Sequence, residues 1–426
     1  MSSTSELIDA TRHRLGEIRS SGAPAAQRLH ALDAVRGFAL LLGIVLHATI
    51  SFLPDPTNSY FIADSHPSLT LTTLYFAIHV FRMTTFFVIA GFFARMSLHR
   101  RGSTGFIKDR LQRIAVPLLV AWPILFPVTR AVVLWAATLP NGGPSPGVDW
   151  PPALPKFPLH YLWFLYVLLE CYAATLVLRT GAIWLDRNGR WRNLIDQLVG
   201  LLVRSNLAPL VLAVPIGIAL GMNPYWDFGI RTPNDSLITN KEAVLAFGTA
   251  FVFGWLLQRQ SDLIHFMERR WLFNLVVAIG LIATSFLIAM TYFQTEPALR
   301  PAGIWSAGAI CYALASWVTT FAVIGVALRF LPNFSATRRY LADASYWMYL
   351  IHLPIVMALQ VLVSNLDWAW PVKFAGILLV TFLSMLVSYH CLVRYSVIGA
   401  VLNGRRERNT GQIGNRGYLN ADRSAS

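Results

Sequence analysis

Charge is scarce in this chain. Only 13% of its 426 residues are Asp, Glu, Lys or Arg, roughly half the share of about 25% found in soluble domains. With 55% hydrophobic residues and a mean hydropathy of +0.52, there is too little polar surface to wet a globule of this length. A string of soluble domains is excluded, and most apolar side chains must face lipid. Acidic residues are the scarcer sign, 21 against 35 Lys and Arg, for a net charge of +14. Cysteine is nearly absent. Cys171, Cys311 and Cys391 lie singly inside apolar runs, which leaves no disulfide framework and no cysteine-based metal site. The ten histidines are scattered, with no i, i+4 pair beside a carboxylate, so no metal is expected. A secretory leader is missing too: the first 30 or so residues are polar, with Arg12, Arg14, Arg19 and Arg28, and no short apolar core precedes a small-residue cleavage site. That stretch, residues 1–30, reads as a disordered cytoplasmic tail.

What is present is a series of long apolar runs, near 34–52, 71–96, 114–137, 159–178, 207–222, 243–258, 271–293, 307–331, 345–364 and 371–393. Each suits a helix of the roughly 17–25 residues that cross a bilayer, although Pro209 and Pro215 interrupt the fifth. The fold expected is an all-α polytopic membrane protein of about ten transmembrane helices over 31–395, with a largely disordered tail at 396–426. Arginine clusters fall on alternate loops: Arg12–Arg28, Arg100–Arg113, Arg179–Arg204, Arg259–Arg270, Arg329–Arg339 and Arg394–Arg423. The intervening loops hold only Lys156, Arg231, Lys241, Arg300 and Lys373. This bias orients the chain with both termini in the cytoplasm, and it accounts for a pI near 10.1 without nucleic acid as a partner. The Pro- and Gly-rich segment 138–158 reads as an irregular cap on the outer face. Trp150, Trp226, Trp305, Trp368 and Trp370 sit at outer loops or span ends, as an aromatic belt or as platforms for sugar rings.

Polar groups at membrane depth are costly and therefore candidates for function. The first run carries Arg36 and His47, eleven positions apart, which is about three helical turns and about 16 Å along one face. Arg36 then lies near the cytoplasmic interface, with Asp33 one turn before it as a partner, and His47 lies beyond the midplane. Helical rise places His79, Arg82 and Glu170 close to the His47 level. Glu170 either orients one imidazole nitrogen of His47 or neutralises Arg82 or Arg130. Arg110 and Arg113, at i, i+3, are ordinary loop charge or a guanidinium cluster suited to phosphates.

Taken together, these residues resemble the acyltransferase family 3 membrane proteins, especially their glucan biosynthesis protein C-like branch. The Arg36–His47 spacing fits that family's first span. HVFRMTTFFVIAGFFARM (79–96) is similar to its second span, with Ala90 where the family pattern has Ser. FIKDRLQRIAVP (106–117), HYLWFLYVLL (160–169, with Trp163) and SYWMYLIHLP (345–354, with Tyr349 and His352) match three further segments. The resemblance implies an O-acyltransferase of the bacterial inner membrane. Cytoplasmic acyl-CoA would be the donor, with no permanently bound cofactor, and a hydroxyl of an extracytoplasmic glycan such as periplasmic glucan the acceptor. For the glucan branch the group implied is succinyl, with acetyl also open. In that scheme Arg36, Arg110 and Arg113 hold the coenzyme phosphates and His47 is base or nucleophile. Arg82, His79, Tyr349 and His352 position the sugar or the oxyanion. The alternative reading is a transporter or flippase for an acylated or glycan substrate, since proline-broken spans with buried charge suit one.

Overall fold

In a computed structural model, the residues described are 30–54, 61–143, 156–223, 226, 229–296, 299 and 303–403. The expected tails, apart from the stretches at 30 and 396–403, and most of the outer cap with Trp150 lie outside them. Among the described residues the fold is all-α. Two isolated bridges, Ile62 with Gly142 and Lys156 with Ser236, are the only strand-like pairings described.

The helices are α1 (His30–Phe52), α2 (Leu69–Arg110), α3 (Val116–Ala136), α4 (Trp163–Leu185), α5 (Arg190–Ser205), α6 (Ala208–Gly221), α7 (Lys241–Arg259), α8 (Ile264–Arg269), α9 (Trp271–Gln294), α10 (Ile304–Phe330), α11 (Ala336–Val363), α12 (Trp370–Ser388) and α13 (Val397–Asn403). Helix occupies all ten of the expected apolar runs. By length and apolarity alone, seven stretches are able to cross a membrane, or up to eight if the bent pair α5–α6 is one span. The difference from ten has two sources. Leu69–Ala136 is one 68-residue helical stretch, and it holds two of the expected spans, broken where Gly102 takes φ 68°, ψ 178°. The α7 helix, 19 residues long, carries Lys241 and Glu242 at one end and Arg259 at the other, and falls short of that apolarity.

A further departure lies between the fourth and fifth runs. The loop expected there contains α5, which meets α6 at a 105° bend. Its charges hide it from a search for apolar runs, because only one of its faces is apolar.

Specific contacts close the bundle, since apolar side chains gain little by leaving lipid for each other. A Cβ at Gly91 would strike the backbone carbonyl of Phe251, and one at Gly254 would strike that of Val88. Glycine at both positions therefore lets α2 and α7 cross backbone to backbone. Hydroxyls join α2 to α10, Thr84 to Ser316 at 2.7 Å and Thr85 to Thr320 at 3.0 Å. Two prolines set further ties. Pro117 has no N–H to offer the Arg113 carbonyl four residues earlier, and Tyr346 of α11 donates to that carbonyl at 2.7 Å. Pro354 leaves the Leu350 carbonyl equally bare, and Tyr161 donates to it at 2.7 Å. In return Tyr349 donates to the Tyr161 carbonyl at 2.8 Å, which locks α11 to the start of α4.

Candidate active site

His47 sits where α1 stops being an α-helix. Ile50–Phe52 tighten into a 3-10 turn, so carbonyls just before it lack their usual helical donors. Gln360 of α11 supplies one, its Nε2 donating to the carbonyls of His47 and Ala48 at 3.0 and 3.2 Å. The imidazole faces that of His352, ring centres 5.2 Å apart. His352 is only 2% exposed, and its Nδ1 donates to the Tyr349 carbonyl at 2.6 Å. That bond leaves Nε2 as an acceptor in the neutral ring. His47 Nδ1, His352 Nε2 and Arg82 Nε are all buried without a hydrogen-bond partner among the described residues.

Arg82 reaches α1 one turn from His47, at Gly43, where any Cβ would collide with its Nη1. Among the described residues no carboxylate forms an ion pair with its guanidinium. His79, one turn before Arg82, stacks on Tyr75 with ring centres 5.5 Å apart, and its Nδ1 lies 3.3 Å from the Tyr312 hydroxyl.

Three cavities run in series through this cluster. The outer one, about 310 Å³, is lined by His47, His79, Arg82, His160 and Trp163 and by Thr232 and Asn234 of the loop before α7. A throat of about 30 Å³ shares His47, Arg82, Tyr161 and Trp163 with it and adds Tyr349 and His352. The inner cavity, about 250 Å³, shares Leu40, Phe86 and Phe164 with the throat and opens among Arg36, Arg110, Arg113 and Arg339.

Those arginines are held in place by acids and rings. Asp33 pairs with Arg36 at 2.8 Å and with Arg339 at 3.0 Å, and Arg339 also meets Asp343 at 3.2 Å. Asp109, 5% exposed, gathers Arg101, Arg110 and Arg113 at 2.5, 2.9 and 3.0 Å. The Arg110 guanidinium lies over the rings of Phe106 and Tyr172, 5.2 and 5.1 Å from their centres. Arg113 stands on a π-helical turn, Leu111–Ala115, a distortion frequent at functional sites.

Of the residues singled out from the sequence, Asp33, Arg36, His47, His79, Arg82, Arg110, Arg113, Trp163, Tyr349 and His352 all line this cavity series. Glu170 does not. Its Oε2 accepts from Thr239 at 2.6 Å, in the loop before α7, and it lines none of the three cavities. The expectation that it orients His47 is corrected, for depth along an axis fixes height and leaves the facing direction open. Tyr349 and His352 also change character, since each spends its one donor on a backbone carbonyl. Neither N–H nor O–H is left for an oxyanion, and Arg82 and His79 remain as donors. Sequence reading missed Arg339, counted only as loop charge, and Gln360, whose signal was an amide inside an apolar run. It missed Gly43 as well. Among the described residues no group of three or more His, Cys, Asp or Glu is placed to hold a metal.

Comparison with known proteins identifies the family. Residues 29–390 match the family described as "Acyltransferase domain". The chain is also 30% identical over 173 residues to "Glucans biosynthesis protein C" of Escherichia coli O1:K1 / APEC, of Escherichia coli O157:H7 (strain EC4115 / EHEC) and of Escherichia coli (strain SE11). That stretch is 40% of this chain and 42% of each relative, so the match spans less than half the length of those proteins. No solved structure matches. Since the family match takes in the whole helical bundle from α1 through α12, the chain belongs to the acyltransferase family 3, and its bundle is that of a multi-pass membrane protein.

Proposed function

We propose that the protein moves an acyl group from cytoplasmic acyl-CoA to a hydroxyl of a glycan outside a bacterial inner membrane, with its termini and its arginine-rich end in the cytoplasm. The observation that carries this reading is the cavity series: two chambers of different chemistry flank a constriction lined by His47, which also lines the outer chamber. Phosphates suit the inner chamber, where four arginines present planar, bidentate donors. A carbohydrate suits the outer chamber, which Asn234, Thr232, His160 and Trp163 line together. The separation of Arg36 and His47, about 16 Å along α1, is of the length of an extended pantetheine arm, which would deliver the thioester through the throat.

At the junction, neutral His47 takes the proton of the attacking hydroxyl. The hydroxyl oxygen bonds to the thioester carbonyl carbon, and the charge that gathers on the carbonyl oxygen meets the guanidinium of Arg82. Among the described residues no carboxylate pairs with that guanidinium, so its N–H groups are available to the developing oxyanion. The C–S bond then breaks, and the coenzyme thiolate recovers the proton from the His47 imidazolium, leaving ester and free thiol. Succinyl is the donor group favoured by the glucan-related resemblance, with periplasmic glucan as acceptor.

Purified protein supplied with succinyl-CoA and a linear glucan should release thiol only when both are present, and glucan mass should rise by one succinyl increment per thiol. Movement of glucan across the bilayer with no thiol release would favour the transporter instead.

A further inference from the structure

The α5 helix poses a separate question. In RWRNLIDQLVGLLVRS, Trp191, Leu194, Ile195, Leu198 and Leu201 recur at helical spacing, and all five are exposed. Arg190, Asn193, Gln197 and Arg204 form a polar flank beside that stripe at about 100° per residue. A third flank is fastened to the bundle: Arg259 grips Asp196 with two bonds of 2.6 and 2.5 Å, and Gln260 donates to the Asp196 carbonyl at 2.7 Å. The bend that follows is fixed by Asn206, in the left-handed conformation at φ 64°, whose Nδ2 donates to Asn274 of α9 at 2.8 Å. The exposed stripe is thus held outward by polar ties on its flank.

Under the bend lies a cavity of about 290 Å³, walled by Val199 and Leu202 of α5, Ala208 and Leu212 of α6, and Gly248 and Val252 of α7. Thr249 is its one polar side chain, and it shares no lining residue with the three cavities around His47. Charge completes the picture. Asp186 and Asp196 are occupied by Arg192 and Arg259, while Arg187, Arg190 and Arg204 make no ion pair among the described residues.

We propose that the α5–α6 bend is a binding site for a phospholipid with an anionic headgroup. One acyl chain enters the apolar cavity, the exposed stripe of α5 lies in the interfacial plane, and Arg204, two residues beyond Leu202 of the cavity wall, meets the headgroup. An in-plane helix with an apolar face and basic residues on its polar flank has the pattern of an interfacial membrane element, and a basic residue near an acidic surface favours it by about 1 kcal/mol.

The test uses full-length purified protein, with binding of phosphatidylglycerol and phosphatidylcholine measured by native mass spectrometry. Wild type should hold phosphatidylglycerol about fivefold more tightly, as one such arginine implies. Arg204→Gln should bring the two lipids to within about twofold. Gly248→Leu, where an added Cβ meets nothing within 4 Å, fills the cavity and should weaken both. Equal affinity of wild type for the two lipids, or unchanged binding in either variant, overturns the proposal. Acyl transfer in detergent should stay within about twofold in these variants, so failure here is distinct from failure of the proposed reaction.

Discussion

His47 and Arg82 divide the chemistry at the scale of single residues. His47→Ala removes the base and should lower acyl transfer by at least about 10²-fold, the lower end of what a positioned base contributes, with folded yield unchanged. Arg82→Lys keeps the charge but loses the fork of donors, and kcat should fall by about 10²-fold or more with the donor KM little changed. Glycines separate function from folding. Gly43→Ala presses on the tip of a flexible side chain, so Arg82 should swing aside, giving a folded protein with the activity of the Arg82 variant. Gly254→Ala presses on a backbone carbonyl that cannot rotate away, and should cost folded yield instead. Both are read from thermal unfolding alongside thiol release. At this scale much of the site was legible in the sequence, because a histidine or arginine inside an apolar run declares itself. Glu170 was misplaced for the same reason: helical rise gives its depth, and only the packing of α4 against the loop at Thr239 shows which way it faces.

Among the helices, α11 does the most to build the site. Within one rod it carries Arg339 at the inner mouth, Tyr346 against the π-helical turn, Tyr349 and His352 at the throat, and Gln360 on the end of α1. Gln360→Ala leaves two buried carbonyls bare, a loss of about 1–3 kcal/mol. It should lower the unfolding temperature and kcat together, because the carbonyl of His47 is one of the two. Tyr161→Phe bares the Leu350 carbonyl beside Pro354 and should lower the unfolding temperature by a similar energy. The double variant Tyr161→Phe/Pro354→Ala, which restores a backbone donor, should regain part of it. Failure of the proline replacement to recover any stability would show that Tyr161 acts elsewhere. The positions of these helices were readable from hydropathy. Their mutual locks were not, since a proline in a sequence reveals a carbonyl without a donor but not which tyrosine finds it. The α5 helix escaped for a different reason, its charged face diluting the signal of its apolar one.

For the whole molecule, the two ends of the cavity series should separate in kinetics. Arg36→Ala, Arg110→Ala and Arg339→Ala remove guanidinium groups from the inner chamber, and each should raise the donor KM about tenfold or more with acceptor KM unchanged, as loss of a charge-assisted contact implies. Arg339 is the sharpest of the three, since its pairing with Asp33 and Asp343 placed it in the chamber only once the fold was known. The order of the helical runs was visible in composition. Continuity between the chambers was not, because it depends on which side chains of α1, α2, α4 and α11 meet. The most direct measurement uses proteoliposomes with one orientation of the protein, glucan sealed inside and labelled acyl-CoA supplied only outside, the arginine-rich ends facing the donor. Acylated glucan should accumulate in the lumen with wild type and not with His47→Ala. Product formed only when donor and glucan share one side of the bilayer would contradict a reaction centre reached from both faces.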